Sequence, residues 1–305
     1  MIPAMVKEGY DKSFSCSLAS AAGSLGTVIP PSVIFVMYGV TVGASISDLF
    51  IAGITPGILI GVVLIIYSKI LVKKNHWGIV QPKITAKEKL KAVKDAIWAI
   101  LVPVIILGGI YSGIFTPTEA AVVACVYAII IGFFVYKELT IKKLYQVFKR
   151  STLTLGSAII IVAFSSIFGR ILTIQQVPQS IAGFLGGITD SKILILILIN
   201  VFLFFVGMFM ETLSAVLILA PILVPVAVTF GISPIHFGVI MTINLAMGLC
   251  TPPVGVNSYI ASSIGGIKIE QMVKTLIPVI VVMFVTILAI SFIEPTSMWL
   301  VNLLN

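Results

Sequence analysis

The sequence predicts an all-α membrane protein built on two inverted repeats of broken helices, with a re-entrant hairpin leading into the second repeat. Three observations point there. First, 59% of the residues are hydrophobic and 10% charged, whereas a soluble domain carries about 25% charge to cover its surface. Second, several apolar runs reach the ~20 helical residues that cross a ~30 Å hydrocarbon core. Third, the sequence superposes on itself at one offset.

The elements follow in order. Apolar segments occupy 13–43, 46–72, 97–115, 118–136, 152–173, 235–262 and 273–294, seven spans, with a folded pair at 193–229. Helix is forced, because unpaired backbone groups in hydrocarbon are too costly and the runs lack the alternation of a barrel strand. The organisation is a first repeat over 1–72, a basic cytoplasmic loop over 73–95, scaffold helices over 96–192, a second repeat over 193–294 and a tail over 295–305. The opening MIPAMVKEGYDK has no basic segment followed by a sufficient apolar stretch, so it does not read as a cleavable signal peptide. It reads as the end of a helix, and a further N-terminal part is expected in related chains.

At an offset of 222 residues the special residues coincide without a gap: Pro3 with Pro225, Gly9 with Gly231, Gly26 with Gly248, Pro30-Pro31 with Pro252-Pro253, Gly43 with Gly265, Asp48 with Glu270 and Pro56 with Pro278. Each unit holds a helix broken at Pro-Pro and then a more regular helix. The net charge of +8 does not point to nucleic acid, because eight of the 19 basic residues lie between Lys69 and Lys94 and five between Lys137 and Arg150, the two most polar connections. With those connections inside, 13–43 runs outward, and 235–262 runs inward whether the 193–229 pair adds zero crossings or two. Lys7, Lys12, Lys268 and Lys274 then fall inside, and Lys192 is the exception. Inverted repeats with broken helices are the pattern of secondary transporters, whose sites lie near the midplane at the breaks.

The first break reads GSLGTVIPPS, Gly23 to Ser32, and the second GLCTPPVGVN, Gly248 to Asn257. Adjacent prolines remove donors and clash with the preceding turn, which frees carbonyls that can hold a cation. Ser24, Thr27, Ser32 and Thr251, with the amide of Asn257, supply hard oxygen donors of the kind a dehydrated sodium ion needs. The glycines permit unwound backbone. A simple kink is the alternative reading of either motif alone.

Upstream of the second break, Glu211, Thr212 and Ser214 form a polar cluster between apolar runs expected to be too short to span separately, which suits a hairpin with its polar tip at depth. Free amides at one half-helix end can face a substrate carboxylate while carbonyls of another complete an ion site. Glu211 is either a functional intramembrane carboxylate or an acid satisfied by backbone amides. Between the repeats, Thr116 or Thr118 is expected to cap a helix with Glu119 at its positive end. Arg170 is expected to snorkel near an outer helix end, and His76 and His236 to sit at membrane edges. Cys16, Cys125 and Cys250 have no metal-ligand spacing and read as packing residues, so no transition-metal site is expected.

In the strings IPAMVKEGYDKSF, GTVIPPS, LFIAGITPGILIG, GGIYSGIFTPTEAA, APILVPVAVTFGISPIHFGV and NLAMGLCTPPVGVN the chain resembles the large membrane subunit of tripartite ATP-independent periplasmic (TRAP) transporters, the DctM-like permeases. The resemblance covers essentially the whole chain. It implies an elevator-type transporter in the inner membrane that receives an organic acid, a C4-dicarboxylate or a relative, from a periplasmic substrate-binding protein. It also implies a small four-helix membrane subunit as partner and Na+ as the coupling ion, with no other cofactor. The family's second sodium site maps onto Thr212, Ser214, Gly248, Thr251, Pro252 and Gly255. The first maps only in part, onto the segment that contains Gly23, Ser24, Gly26, Thr27, Pro30, Pro31 and Ser32. A carboxylate symporter that works without a binding protein is the alternative. The sequence holds no HExxH, no GxGD and no GxxxxGKS, so neither an intramembrane enzyme nor ATP drive within this chain is expected.

Overall fold

The computed structural model describes residues 1–78, 85–189 and 191–304. Part of the expected basic loop, 79–84, and the last residue of the tail lie outside the described residues. Every regular element among the described residues is a helix. Contacts divide the chain into two compact units, one of Met1–Ile79 with Ser165–Asn305 and the other of Val80–Phe164. The division places 165–192 with the two repeats, where the sequence reading grouped it with the scaffold helices.

In the first unit the repeat is visible in the helix boundaries. The first copy contains α1 (Ile2–Lys7), α2 (Lys12–Ser24), α3 (Val33–Val42) and α4 (Ile46–Asn75). The second contains α11 (Pro234–Gly248), α12 (Val256–Gly265) and α13 (Ile269–Phe292), whose starts fall within one residue of the positions the offset specifies for α2, α3 and α4. Gly9 and Gly231 both take positive φ, 84° and 70°, at turns where a Cβ would be disfavoured. Pro56 and Pro278 both lie inside their long helices.

The inversion is read from the order of contacts. Lys12 lies beside Gly266, Cys16 against Gly265 and Gly23 against Asn257, and the Ser20 and Ser258 hydroxyls are 2.9 Å apart. As α2 advances α12 recedes, so the two run antiparallel. The exchange is reciprocal, as a two-fold relation requires: the start of α2 meets the end of α12, and Tyr38 on α3 donates to the carbonyl of Pro234 at the start of α11, 2.7 Å away.

Two further helices, α9 (Lys192–Phe209) and α10 (Thr212–Thr229), are joined by Met210 and Glu211 in extended conformation. The ammonium of Lys192, where α9 begins, donates to the carbonyl of Gly231, just past α10, at 3.0 Å. The chain therefore goes out and returns to its starting level, as a hairpin does. Each arm has 18 residues, by length and composition enough to cross a membrane, so the expectation of arms too short to span is corrected. Apolar helices need only ~1.5 Å of rise per residue to reach ~27 Å, and Pro221 and Pro225 do not end α10. The expected span 152–173 lies within α7 (Ile141–Ile174), and beyond it the chain bends by 62° at Gln175–Gln176 into α8 (Val177–Ile188).

α11 is the centre of this unit. From His236 to Gly248 each of its residues is buried, packed among α9, α10, α3, α4 and α13. His236, near the start of α11, is 0% exposed; its ring nitrogens meet the Ser297 hydroxyl of α14 (Pro295–Leu304) at 2.6 Å and the Ser291 carbonyl at 3.2 Å. Tertiary packing supplies the partners that interfacial water would have given.

The second unit holds α5 (Ala86–Tyr111) and α6 (Pro117–Ile130), the latter continued by a π-helical turn over Ile131–Val135. Tyr127 and Tyr136 donate to the carbonyls of Trp98 and Asp95 and tie α6 to α5. Thr116 is the cap of α6: its amide and hydroxyl donate to Glu119 at 2.8 and 2.9 Å, while the Glu119 amide donates back to the hydroxyl. This reciprocal arrangement satisfies donors at the helix start that would otherwise lack a partner. In the same way Thr85 caps α5, and its hydroxyl and amide hold the Glu88 carboxyl below the usual carboxylate range. Among the described residues of the whole chain, 6 helices, or up to 7 with the bent pair, are long and apolar enough to cross a membrane.

Candidate functional site

At the first break α2 gives way to a single 3-10 turn, Leu25–Thr27, before Pro30-Pro31 and the start of α3. The hydroxyls that the sequence marks are used locally. Ser24 donates to the Ala21 carbonyl at 2.7 Å, Thr27 to the Ser24 carbonyl at 2.8 Å, and Ser32 to the Thr27 carbonyl while capping α3 through the Phe35 amide. A hydroxyl that has given its hydrogen to a carbonyl keeps its lone pairs outward, which is the state a cation requires. Ser24 and Ser32 are buried, whereas Gly23 and Gly26 are exposed.

The second break spans 249–255 and ends at Gly255, whose φ of 30° is open to glycine. A Cβ there would lie 2.9 Å from the Thr251 carbonyl oxygen, so the chain doubles back too closely for any side chain. Thr251 donates to the Met247 carbonyl at 2.9 Å, and the backbone N–H of Asn257 donates across the break to the Leu249 carbonyl, also at 2.9 Å. Ser258 donates to the Cys250 carbonyl at 2.6 Å and continues to Ser20 of the first repeat. Both Pro-Pro bonds, Pro30-Pro31 and Pro252-Pro253, are cis.

Two close approaches assemble these parts. Asn257 lies against Gly23, its Nδ2 3.4 Å from where a Cβ would stand, so the side chain of one break faces the backbone of the other. Gly207, near the end of α9, meets Gly248 backbone to backbone; a Cβ on Gly248 would overlap Gly207. The hairpin tip is thereby fixed beside the second break. At that tip Glu211 is exposed and caps α10, accepting from the Ser214 amide at 3.0 Å and the Ser214 hydroxyl at 3.3 Å. Thr212 is 1% exposed, and among the described residues its hydroxyl has no hydrogen-bond partner. A buried hydroxyl without a partner is costly, and a ligand supplying that partner removes the cost.

Sequence reasoning missed Gly207, Ser20, Ser258 and the buried amides Asn200 and Asn244. The last two carried a visible signal, since each is a lone amide inside a long apolar run; glycine contacts and serine pairs appear only after packing. Among the described residues no group of three or more His, Cys, Asp or Glu could hold a metal ion, and the oxygen donors at the breaks are neutral.

The model of one family, the tripartite ATP-independent periplasmic transporter, DctM component, matches residues 1–296. The chain is 46% identical to the isethionate TRAP transporter permease protein DctMQ of Oleidesulfovibrio alaskensis, over 98% of this chain and 47% of that protein. It is 38% identical to the C4-dicarboxylate TRAP transporter large permease protein DctM of Pseudomonas aeruginosa, over 100% of this chain and 71% of the relative. It is also 38% identical to the sialic acid TRAP transporter large permease protein SiaM of Vibrio cholerae, over 95% and 68%. It thus spans about half the length of the first of these and about two thirds of the others. With its helices long enough to cross a membrane and its paired breaks, the chain belongs to the DctM family of TRAP transporter large permeases, multi-pass inner-membrane transport proteins and not enzymes.

Proposed function

We propose that this chain forms the substrate path of a sodium-coupled importer of small organic acids, of elevator type, which receives its substrate from a periplasmic binding protein and works with a small four-helix membrane subunit. The observation that carries this reading is the convergence of two antiparallel broken helices, Gly23 of one against Asn257 of the other, with the hairpin tip seated on the second break at Gly207 and Gly248. Neutral hydroxyls and freed carbonyls suit a weakly bound, readily released monovalent ion better than a tightly held divalent one. The buried hydroxyl of Thr212, without a hydrogen-bond partner among the described residues, supports its assignment to the second site as an ion donor, with Ser214, Gly248, Thr251, Pro252 and Gly255 as the other candidates.

The substrate class is a C4-dicarboxylate or a related organic acid. Relatives named for C4-dicarboxylate, sialic acid and isethionate share an anionic acid group, which helix N-termini at the breaks and at α10 can face. The exposed Glu211 carboxylate already occupies the α10 N-terminus as a cap, so the substrate anion is assigned to the amides that follow the Pro-Pro breaks.

The test is uptake into proteoliposomes holding the complete permease complex, with labelled succinate, sialic acid and isethionate, an imposed inward sodium gradient and added binding protein. The proposal expects accumulation that needs both sodium and binding protein. Accumulation without binding protein would favour an independent carboxylate symporter, and accumulation indifferent to sodium would remove the assigned coupling ion.

A further inference from the structure

Beyond the site itself, α9 and α11 are fastened at three heights. Lys192 of α9 donates to the Gly231 carbonyl just before α11, Asn244 Nδ2 donates to Asn200 Oδ1 at 2.8 Å, and Gly207 meets Gly248. Both residue numbers rise together, so the two helices run parallel and in register. The middle fastening is a buried polar cluster. Asn200 and Asn244 are each 0% exposed. Asn200 Oδ1 also accepts from the Ser291 hydroxyl of α13 at 3.0 Å, and the amide nitrogens of both residues donate to the carbonyls one turn back on their own helices.

Around this cluster the buried face of α9 is Ile195, Leu196, Ile199 and Leu203. In hydrocarbon such a seam has little preference for one register, because lipid tails are as apolar as leucine. An amide pair does have one, since at any other height the buried Asn200 Oδ1 loses the Asn244 donor, and a single buried Asn is the best attested device for fixing helix register. Slippage by one turn would carry the hairpin tip ~5.4 Å along α11, whereas ion ligands hold their distances to within ~0.2 Å.

We propose that Asn200 and Asn244 are positioning residues for the second cation site: their amide pair sets the register of α9 on α11 and so holds the tip, with Thr212, at the level of the second break. They touch neither ion nor substrate. The inference rests on the proposed function for the ion and on the geometry alone for the register.

The experiment uses the complete permease complex carrying Asn200→Leu with Asn244→Leu, which removes both amides at nearly constant volume and leaves neither unpaired. Three quantities are read: thermal stability, the sodium concentration for half-maximal uptake, and the distance distribution between spin labels on the exposed positions Phe205 and Ile260. The expected result is a folded complex with a broadened or shifted distance distribution and a sodium requirement raised about tenfold, the usual scale for residues that orient metal ligands. Asn200→Thr, which keeps an acceptor for Asn244, is expected to stay near the parent. An unshifted distribution, or a shifted one with an unchanged sodium requirement, would overturn the proposal. If the double variant does not fold, Ser291→Ala removes only one bond to Asn200 and decides the matter on the same readouts, with no change in either counting against it. Sodium-independent uptake by the parent complex would defeat the coupling assignment by itself, and the label distances would still report the register.

Discussion

The side-chain amide of Asn257, on the helix that leaves the second break, lies against the backbone of Gly23 in the first, with Nδ2 3.4 Å from the position of a Gly23 Cβ. The two breaks therefore meet in one polar centre, with a side chain of one repeat seated on Gly23 of the other. At 3.4 Å a methyl group makes ordinary contact, so Gly23→Ala is expected to keep uptake near the parent level. Gly23→Leu displaces Asn257 and is expected to cut sodium-dependent uptake at least tenfold, the scale for loss of ligand orientation. Initial uptake rates against sodium concentration for the two variants check this.

Gly26 and Gly248 are equivalent in the repeat but not in their surroundings. A Cβ at Gly248 would overlap the Gly207 backbone, while a Cβ at Gly26 meets nothing within 4 Å. Gly248→Ala is expected to lower stability by about 1–3 kcal/mol or more, because backbone cannot yield as a flexible side chain can, and Gly26→Ala to change it by less than about 0.5 kcal/mol. Unfolding of the purified complex separates them; equal effects would mean that α9 does not seat on α11 as described.

Thr212 gives a prediction of opposite signs. Its buried hydroxyl has no hydrogen-bond partner among the described residues, so Thr212→Val relieves an unsatisfied group and is expected to hold or raise stability in the absence of sodium by up to about 1–3 kcal/mol. The same change removes the proposed ion donor and is expected to raise the sodium concentration for half-maximal uptake. Thr251→Val loses a hydrogen bond to the Met247 carbonyl and is expected to impair both, with a stability cost of about 1 kcal/mol. Stability measured without sodium and uptake measured across sodium concentrations distinguish a ligand from a packing residue.

The polar contacts around the base of the hairpin are predicted to be unequal. Lys192 and Glu294 form an ion pair at 3.3 Å with side chains 41% and 38% exposed, and such a pair contributes about 0–1 kcal/mol. Lys192→Gln is accordingly expected to be mild. His236 is fully buried between Ser297 and the Ser291 carbonyl, and His236→Leu leaves those groups without their partner at a cost of about 1–3 kcal/mol. Thermal unfolding of the two variants side by side checks the order.

Much of this architecture was legible in the sequence because backbone demands repeat. Paired prolines interrupt a helix, and glycine takes most readily the positive φ found at Gly9 and Gly231, so the 222-residue offset located the starts of α11, α12 and α13. The helix that follows the bend at Gln175–Gln176 was not assigned, although the end of the expected span at 173 and the polar run Gln175–Gln176 mark the break itself. The burial of His236 and the pairing of Asn200 with Asn244 depend on helices brought together from distant parts of the chain. Gly207 reads as one glycine among 25 until α11 is placed against it.

The central claim is that sodium and organic acid cross together. Thermodynamic coupling is reciprocal, so the direct measurement is the flux of ²²Na+ into proteoliposomes of the complete permease complex when substrate-loaded binding protein is added outside, with membrane potential clamped. The account predicts a sodium influx that tracks substrate influx at a fixed ratio and falls in step with it in Thr212→Val. Substrate influx with no accompanying sodium would contradict it.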